Sequence, residues 1–409
     1  MPVSELERRS PDIALILKEI GGRKYVEKKT VHFCGLAGTA TGETAMFLPR
    51  NSSLENLETS MIQARLTMNA LARYGNETKT RTGHTSGDEE VVSVLPVIFD
   101  LAEDFKSHGL YAERLRYKSR DSGKPDWKST IAAETPLLRR SGVAVYPIMR
   151  TTRVLDTRDV PLARIQTAVL TEIVERHGWW LGETFTAPAR DLKGYKTPDI
   201  PRTLWKSILS TTLTGLYAIR PMKLARLLIR YLDADQTVTG GKFLAGVPDF
   251  ERVWEQMLRK TITGVEATNW NELLPKPAYL GEVGPVQKIG SGMEMDMVVR
   301  RDQHLHILDA KYYTATGTGN VPKTGDIVKQ LMYELGLKTV IEDLGSGETV
   351  SGAFVFPCSE THSRPFRSAG LSRGGVIDIR FPSIRIVYAD LNGIMHAYTS
   401  KAHYDLALD

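Results

Sequence analysis

The chain has 409 residues, 42% hydrophobic and 25% charged, with a formal net charge of +5. That length fits two or three domains whose cores are large enough to fold without disulfide or metal staples. Two distant cysteines, Cys34 and Cys358, exclude a disulfide framework and fit a reducing cytoplasm; no run reaches the roughly 18 apolar residues of a membrane span, and the charged N-terminus does not read as a signal peptide.

The charge is unevenly placed. Residues 1–105 hold 12 Lys/Arg against 15 Asp/Glu, residues 106–233 hold 23 against 12, and residues 234–409 hold 18 against 21. The middle of the chain therefore carries the positive charge, which suits a phosphate backbone or an acidic partner. Three regions are expected: an N-terminal α/β part at 1–105, a basic middle at 106–240 and a C-terminal part at 241–409. The class is α/β, or α+β taken overall.

Ile13 to Ile20 reads as a helix, and Val31–Gly35 and Thr44–Pro49 as strands. The glycine-rich stretch between those strands is not a phosphate loop, because Gly42 is followed by Glu43 where Lys-Ser/Thr is required. It reads as a flexible hairpin connection. Met61, Ala64, Met68 and Leu71 recur at helical spacing, so Leu54–Tyr74 is a helix. Asn76–Glu90 is expected to be a mobile loop, and Val91–His108 the next helix.

The run from Arg114 to Lys124 is the most basic in the chain. Arg116, Lys118, Arg120 and Lys124, interleaved with Tyr111 and Tyr117, are candidate phosphate contacts, with a solvated loop as the equal alternative. Ser141–Thr152 is expected to be a strand, Arg153–Asp159 a charged turn and Asp159–His177 a helix. Trp179, Trp180 and Phe185 fill a core more readily than they stack on bases. Pro198–Leu232 holds two helical pieces broken near Pro221. Phe250–Ile262 is an amphipathic helix with Glu251 and Glu255 four apart on one face.

The richest stretch follows. Met297–Val299 and Leu305–Leu308 read as two strands joined at Asp302-Gln303, a hairpin that brings Asp296 near Asp309 and Lys311. Side chains alternate along a strand, so Asp309 and Lys311 share a face. Two carboxylates can hold a hard divalent cation such as magnesium, and an ammonium beside them can orient water and offset charge on a phosphate. After a Gly/Thr-rich loop, Asp326–Gly336 reads as a helix with Gln330 and Tyr333 on one face. Further strands are expected at Gly352–Pro357, Val376–Arg380 and Ile384–Tyr388. His304 and His306 lack the acidic or thiolate company of a zinc site.

Asp296, then Leu308-Asp-Ala-Lys-Tyr-Tyr313, then Gln330 and Tyr333, with the helix Phe250–Leu258 upstream, resembles the PD-(D/E)XK nuclease superfamily. Within it, the pattern is most similar to LlaJI-type restriction endonucleases, McrC-like nuclease subunits of McrBC-like systems. The resemblance covers about residues 246–400 and loosens upstream. It implies magnesium-dependent hydrolysis of double-stranded DNA in phage defence, with manganese able to substitute. It implies that Asp296, Asp309 and the backbone carbonyl of Ala310 bind the metal, that Lys311 positions the water, that Glu255 or else Glu251 completes the acidic cluster, and that Gln330 hydrogen-bonds the site or the DNA. It also implies a separate McrB-like AAA+ GTPase motor, an oligomer within that motor complex, a cytoplasmic location and no membrane. A stand-alone nuclease and a non-catalytic DNA-binding adaptor remain the alternatives.

Overall fold

The structure, a computed structural model, describes residues 1–19, 26–27, 29–39, 43–52, 56–81, 94–120, 122–236, 243–281, 284–287, 292–359 and 363–408. Where the sequence suggested three regions, the chain forms two compact units. One joins Met1–Pro96 to Val238–Asp409, and the other is Val97–Thr237.

The first unit begins with α1 (Val3–Arg9) and α2 (Pro11–Glu19), then β1 (Cys34–Gly38), β2 (Thr44–Phe47) and α3 (Leu57–Arg81). Helix α3 runs through residues 76–81, expected to be loop; the rest of that expected loop, 82–90, and the first three residues of the helix expected at 91–108 lie outside the described residues. Leu6, Ile13, Ile16 and Leu17 pack on Phe33, Phe47 and Leu244 in one apolar cluster.

The second unit holds α4 (Val94–His108), β3 (Glu113–Arg120), α5 (Trp127–Ala133), β4 (Arg150–Thr157), α6 (Pro161–Leu181), α7 (Trp205–Thr214) and α8 (Ile219–Gln236). The basic run is thus a strand, not a loop: β3 pairs antiparallel with β4 along its full length, from Glu113 opposite Thr157 to Arg120 opposite Arg150. The expected charged turn at Arg153–Asp159 is mostly the continuation of β4. Trp180 and Phe185 are core residues, with ring centroids 5.3 Å from Phe99 and 6.0 Å from Phe105.

The chain re-enters the first unit at β5 (Phe243–Val247), which pairs with β1 so that β1 lies between β5 and β2. Gly35 and Gly246 face each other in that pairing. A Cβ on Gly35 would lie 2.3 Å from the Ala245 carbonyl oxygen, and one on Gly246 2.2 Å from that of Cys34. The glycines at this crossing therefore permit close backbone approach, and the first part of the glycine-rich stretch is buried strand.

Then come α9 (Phe250–Thr261), β6 (Met297–Arg301), β7 (His304–Ala310), α10 (Thr324–Leu344), β8 (Thr349–Cys358), β9 (Ser368–Ala369), β10 (Ile384–Asp390) and α11 (Leu391–Ser400). The sheet order is β6-β7-β8-β10-β9. β7, β8 and β10 run parallel to one another, while β6 and β9 are antiparallel edges. This is the mixed α/β architecture expected. The strand anticipated at Val376–Arg380 is only the two-residue piece Val376–Ile377, outside this sheet.

Helix α10 covers one face, where Leu305 and Ile307 pack on Tyr333, Leu337, Val340 and Ile341. Leu308 and Ala310, on the alternate face, are buried too. A strand buried on both faces reads as a near-continuous apolar run, which is why Leu305–Ala310 was legible and why a carboxylate inside it is conspicuous.

Candidate active site

The hairpin β6–β7 turns at Asp302-Gln303, with Asp302 at φ 47°, a left-handed conformation that aspartate tolerates. Met297, the first residue of β6, is paired with Leu308; continuing that register by one step sets Asp296, the bend residue before the strand, toward Asp309, whose charge reaches it. Residues directly opposite on antiparallel strands present their side chains on the same face. Asp309 is 6% exposed, an unusual burial for an aspartate.

The Asp296 Oδ2 accepts a 2.7 Å hydrogen bond from the Ala310 N–H. The N–H and C=O of one strand residue point to the same edge, so the Ala310 carbonyl faces the Asp296 side. The next N–H, that of Lys311, points the other way, donating to the Val355 carbonyl at 3.0 Å.

Lys311 shares the Asp309 face, as alternation requires. Its Nζ lies 2.8 Å from Asp309 Oδ2 and 2.8 Å from Asp326 Oδ1. Burial disfavours the ammonium, but the two carboxylates outweigh it and raise the lysine pKa. Asp326, in the first turn of α10, also accepts the Lys323 backbone N–H at 2.9 Å, which ties the helix start to the lysine. Burial raises the Asp326 pKa, and Lys311 and the Lys323 N–H more than reverse it.

Burial, then the neighbouring Asp309 charge, pushes Asp296 up to about 6 despite the Ala310 N–H. Glu251 is raised as well, by burial, then Asp249, with Asp309 and Glu255 adding and Lys311 opposing. Helix α9 thus brings both glutamates toward the patch. Glu255 is engaged: its Oε1 lies 2.5 Å from Arg259 Nη2, and the same guanidinium donates to the Asp296 carbonyl at 2.8 Å. Glu251 is the glutamate that senses Asp309 and Lys311.

Gln330 sits elsewhere. It is 1% exposed, and its Nε2 donates to the Ile307 carbonyl at 2.8 Å, inside the α10–sheet interface. There it lies over Gly352, where a Cβ would come within 2.9 Å of the glutamine. Tyr333, also buried, donates its hydroxyl to the Glu294 carbonyl beside Asp296.

The N-terminal part of the chain reaches the same strand ends. The Arg50 N–H donates to the Tyr312 hydroxyl at 2.7 Å, and Asn51 Nδ2 to the Pro357 carbonyl at 2.6 Å. Thr314 in turn donates to Asn51 Oδ1.

In the second unit, Lys118 and Arg120 line a polar cavity of about 220 Å³ with Ser119, Asp126, Ser129, Arg150 and Thr151. Lys124 is exposed on a short strand opposite Thr152 and does not line it. Arg116 pairs with Val154 in β3, and its side chain lies outside the described residues.

Asp326, Lys329 and Arg259 were missed by sequence reasoning. Asp326 carried a weak signal, an acid in a helix's first turn, which by itself indicates capping. Arg259 follows Glu255 at the i,i+4 spacing of an ordinary surface pair, so its bond to Asp296 was invisible.

A divalent cation can be tested against this donor set. Among the described residues, no group of three or more His, Cys, Asp or Glu side chains lies close enough to hold a metal ion. Magnesium, however, is commonly held by one or two carboxylates with water and substrate phosphate. Asp296 and Asp309 come together with the Ala310 carbonyl edge beside them, and burial first and Asp309 second raise the Asp296 pKa, a cost that a bound cation would offset. The donor set fits a hard cation.

The profile of the LlaJI restriction endonuclease family matches residues 41–384. The type II restriction enzyme BsuMI component YdjA of Bacillus subtilis (strain 168) is 25% identical over 324 residues, 76% of this chain and 67% of that one. Among solved structures, a chain from the refined half-complex of the tetradecameric assembly of Thermococcus gammatolerans McrB AAA+ hexamers with bound McrC is similar at 15% identity and a TM-score of 0.41, over 91% of this chain and 82% of that one.

Proposed function

Because this chain belongs to the LlaJI restriction endonuclease family, we propose that it is the DNA-cleaving subunit of a restriction system, hydrolysing phosphodiester bonds with magnesium at the Asp296–Asp309–Lys311 patch. The observation that carries the proposal is the convergence on one strand end of two aspartates, Asp296 bonded to the Ala310 N–H beside Asp309, and a lysine that is 2.8 Å from Asp309. This is the arrangement of a PD-(D/E)XK nuclease.

Asp296, Asp309 and the Ala310 carbonyl would hold the cation, and manganese should substitute. When bound, the cation supplies a polarised phosphate and a water of lowered pKa. Lys311 stays protonated between Asp309 and Asp326, so it acts as a cation and not as a base. It orients the attacking water and offsets charge developing on the phosphate. Glu251 is placed to take a proton or orient that water, while Glu255, with Arg259, fixes the backbone at Asp296. Gln330 supports strand β7 from beneath and makes no contact with DNA. Lys118 and Arg120 in the basic unit contact the DNA backbone.

The curated relative is described as a component of its enzyme. We read this chain in the same way, as one subunit that works with a separate AAA+ GTPase in the cytoplasm, the two assembling into an oligomer. No described helix is long and apolar enough to cross a membrane. The test is plasmid cleavage in magnesium by the purified chain, alone and with the candidate GTPase and GTP. Cleavage that needs both proteins and GTP supports the motor-coupled reading. Full cleavage by the chain alone refutes the motor requirement and favours a stand-alone nuclease. DNA binding without cleavage under either condition favours the adaptor.

A further inference from the structure

We propose that Lys329 is a second catalytic cation of this site and contacts a phosphate of the bound DNA, an inference that rests on the nuclease reading above and assigns a residue to its substrate. Lys329 lies on α10 three residues after Asp326 and four before Tyr333, so all three share one helix face. Both neighbours are tied to the patch. Asp326 grips Lys311 at 2.8 Å, and the Tyr333 hydroxyl donates to the Glu294 carbonyl, two residues before Asp296. The Lys329 Nζ sits 5.2 Å from the centre of the Tyr333 ring and hydrogen-bonds to that side chain, which ties the ammonium to Tyr333. Its charge is felt by Asp296, Asp309 and Asp326.

The charge balance explains the need for it. Lys311 is shared between two carboxylates, Asp309 and Asp326, so alone it does not balance the negative charge a substrate meets here. A phosphodiester approaching these strand ends meets Asp296, Asp309, Asp326 and Glu251, an acidic lip that repels it. Among the described residues no carboxylate lies at ion-pair distance from Lys329, and the side chain is exposed. An exposed ammonium that hydrogen-bonds Tyr333 keeps further N–H donors free, and beside an acidic pair it is the group that can donate to a phosphate oxygen as the DNA settles.

The experiment uses the full chain with a fluorescein-labelled duplex, measuring anisotropy in EDTA between 50 and 200 mM KCl, and cleavage in magnesium. Lys329→Ala should weaken binding at low salt and lower the slope of log K against log [salt] by about 1. Its cleavage rate should fall at least tenfold, and Lys329→Arg should restore the salt slope. Lys338→Ala, which removes a lysine further along the same helix that is paired with Glu334, should leave the slope unchanged. An unchanged slope and affinity in Lys329→Ala overturns the proposal, as does an equal slope change in Lys338→Ala. Wild type that binds DNA but never cleaves it sinks the nuclease reading, while the salt slope still decides Lys329. Wild type that binds no DNA overturns the Lys329 contact.

Discussion

Replacing Asp296 with Asn should stabilise the protein at neutral pH in EDTA while abolishing cleavage. The Asp296 carboxyl is pushed from 3.8 up to about 6 by burial and by Asp309. Between those values the native state holds a proton that the unfolded chain has released, so stability falls as pH rises through that window. Above it the cost is complete. A shift of about 2 units corresponds to about 3 kcal/mol at 1.36 kcal/mol per unit. Asparagine cannot ionise, and its oxygen can still accept the Ala310 N–H. Thermal melts in EDTA should therefore show Asp296→Asn above wild type by roughly 6 °C or more at pH 7.5. The gap should close toward pH 4. Adding magnesium should raise the wild-type midpoint at pH 7.5 and leave that of the variant nearly unchanged. A variant less stable than wild type at pH 7.5, or a gap independent of pH, would refute the reasoning, because the two aspartates would then not be repelling each other.

Lys311→Ala should reduce magnesium-dependent cleavage by about 100-fold or more, the scale of losing one preorganised charge, read in a single-turnover assay on duplex DNA. Gly352→Ala should cost about 1–3 kcal/mol in urea unfolding, because the new Cβ meets Gln330 at 2.9 Å in a packed interface; a neutral result would show that the glutamine can move aside. Arg259→Ala should cost about 1–3 kcal/mol and lower cleavage together, since it frees Glu255 and leaves the Asp296 carbonyl without its donor. Stability and rate measured on one preparation check that coupling.

The parts of the site held by local pattern were legible in the sequence. The β6–β7 hairpin, the shared face of Asp309 and Lys311, and helices α9 and α10 follow from alternation and helical spacing within a few dozen residues. What depended on distant packing was not. Arg50 and Asn51 bond to Tyr312 and Pro357, some 260 and 306 positions away, so the return of the N-terminal part to the catalytic unit left no periodic trace. Leu36, Ala37 and Gly38 looked like loop residues because their strand partners, Ala245, Leu244 and Phe243, lie beyond an entire inserted unit. The basic run looked like loop because β3 alternates cations with Leu115, Tyr117 and Ser119, a pattern too polar to announce a strand. Gln330 has the composition of a surface contact, and only its bond to Ile307 reveals it as an interior strut.

The most direct measurement is plasmid cleavage by wild type and by Asp309→Ala, each with its partner proteins present, in magnesium and in EDTA. The account predicts cutting by wild type in magnesium alone, and none by Asp309→Ala in either condition although the variant folds and binds DNA. Cutting that survives in Asp309→Ala, or that proceeds in EDTA, would contradict it and place the chemistry elsewhere.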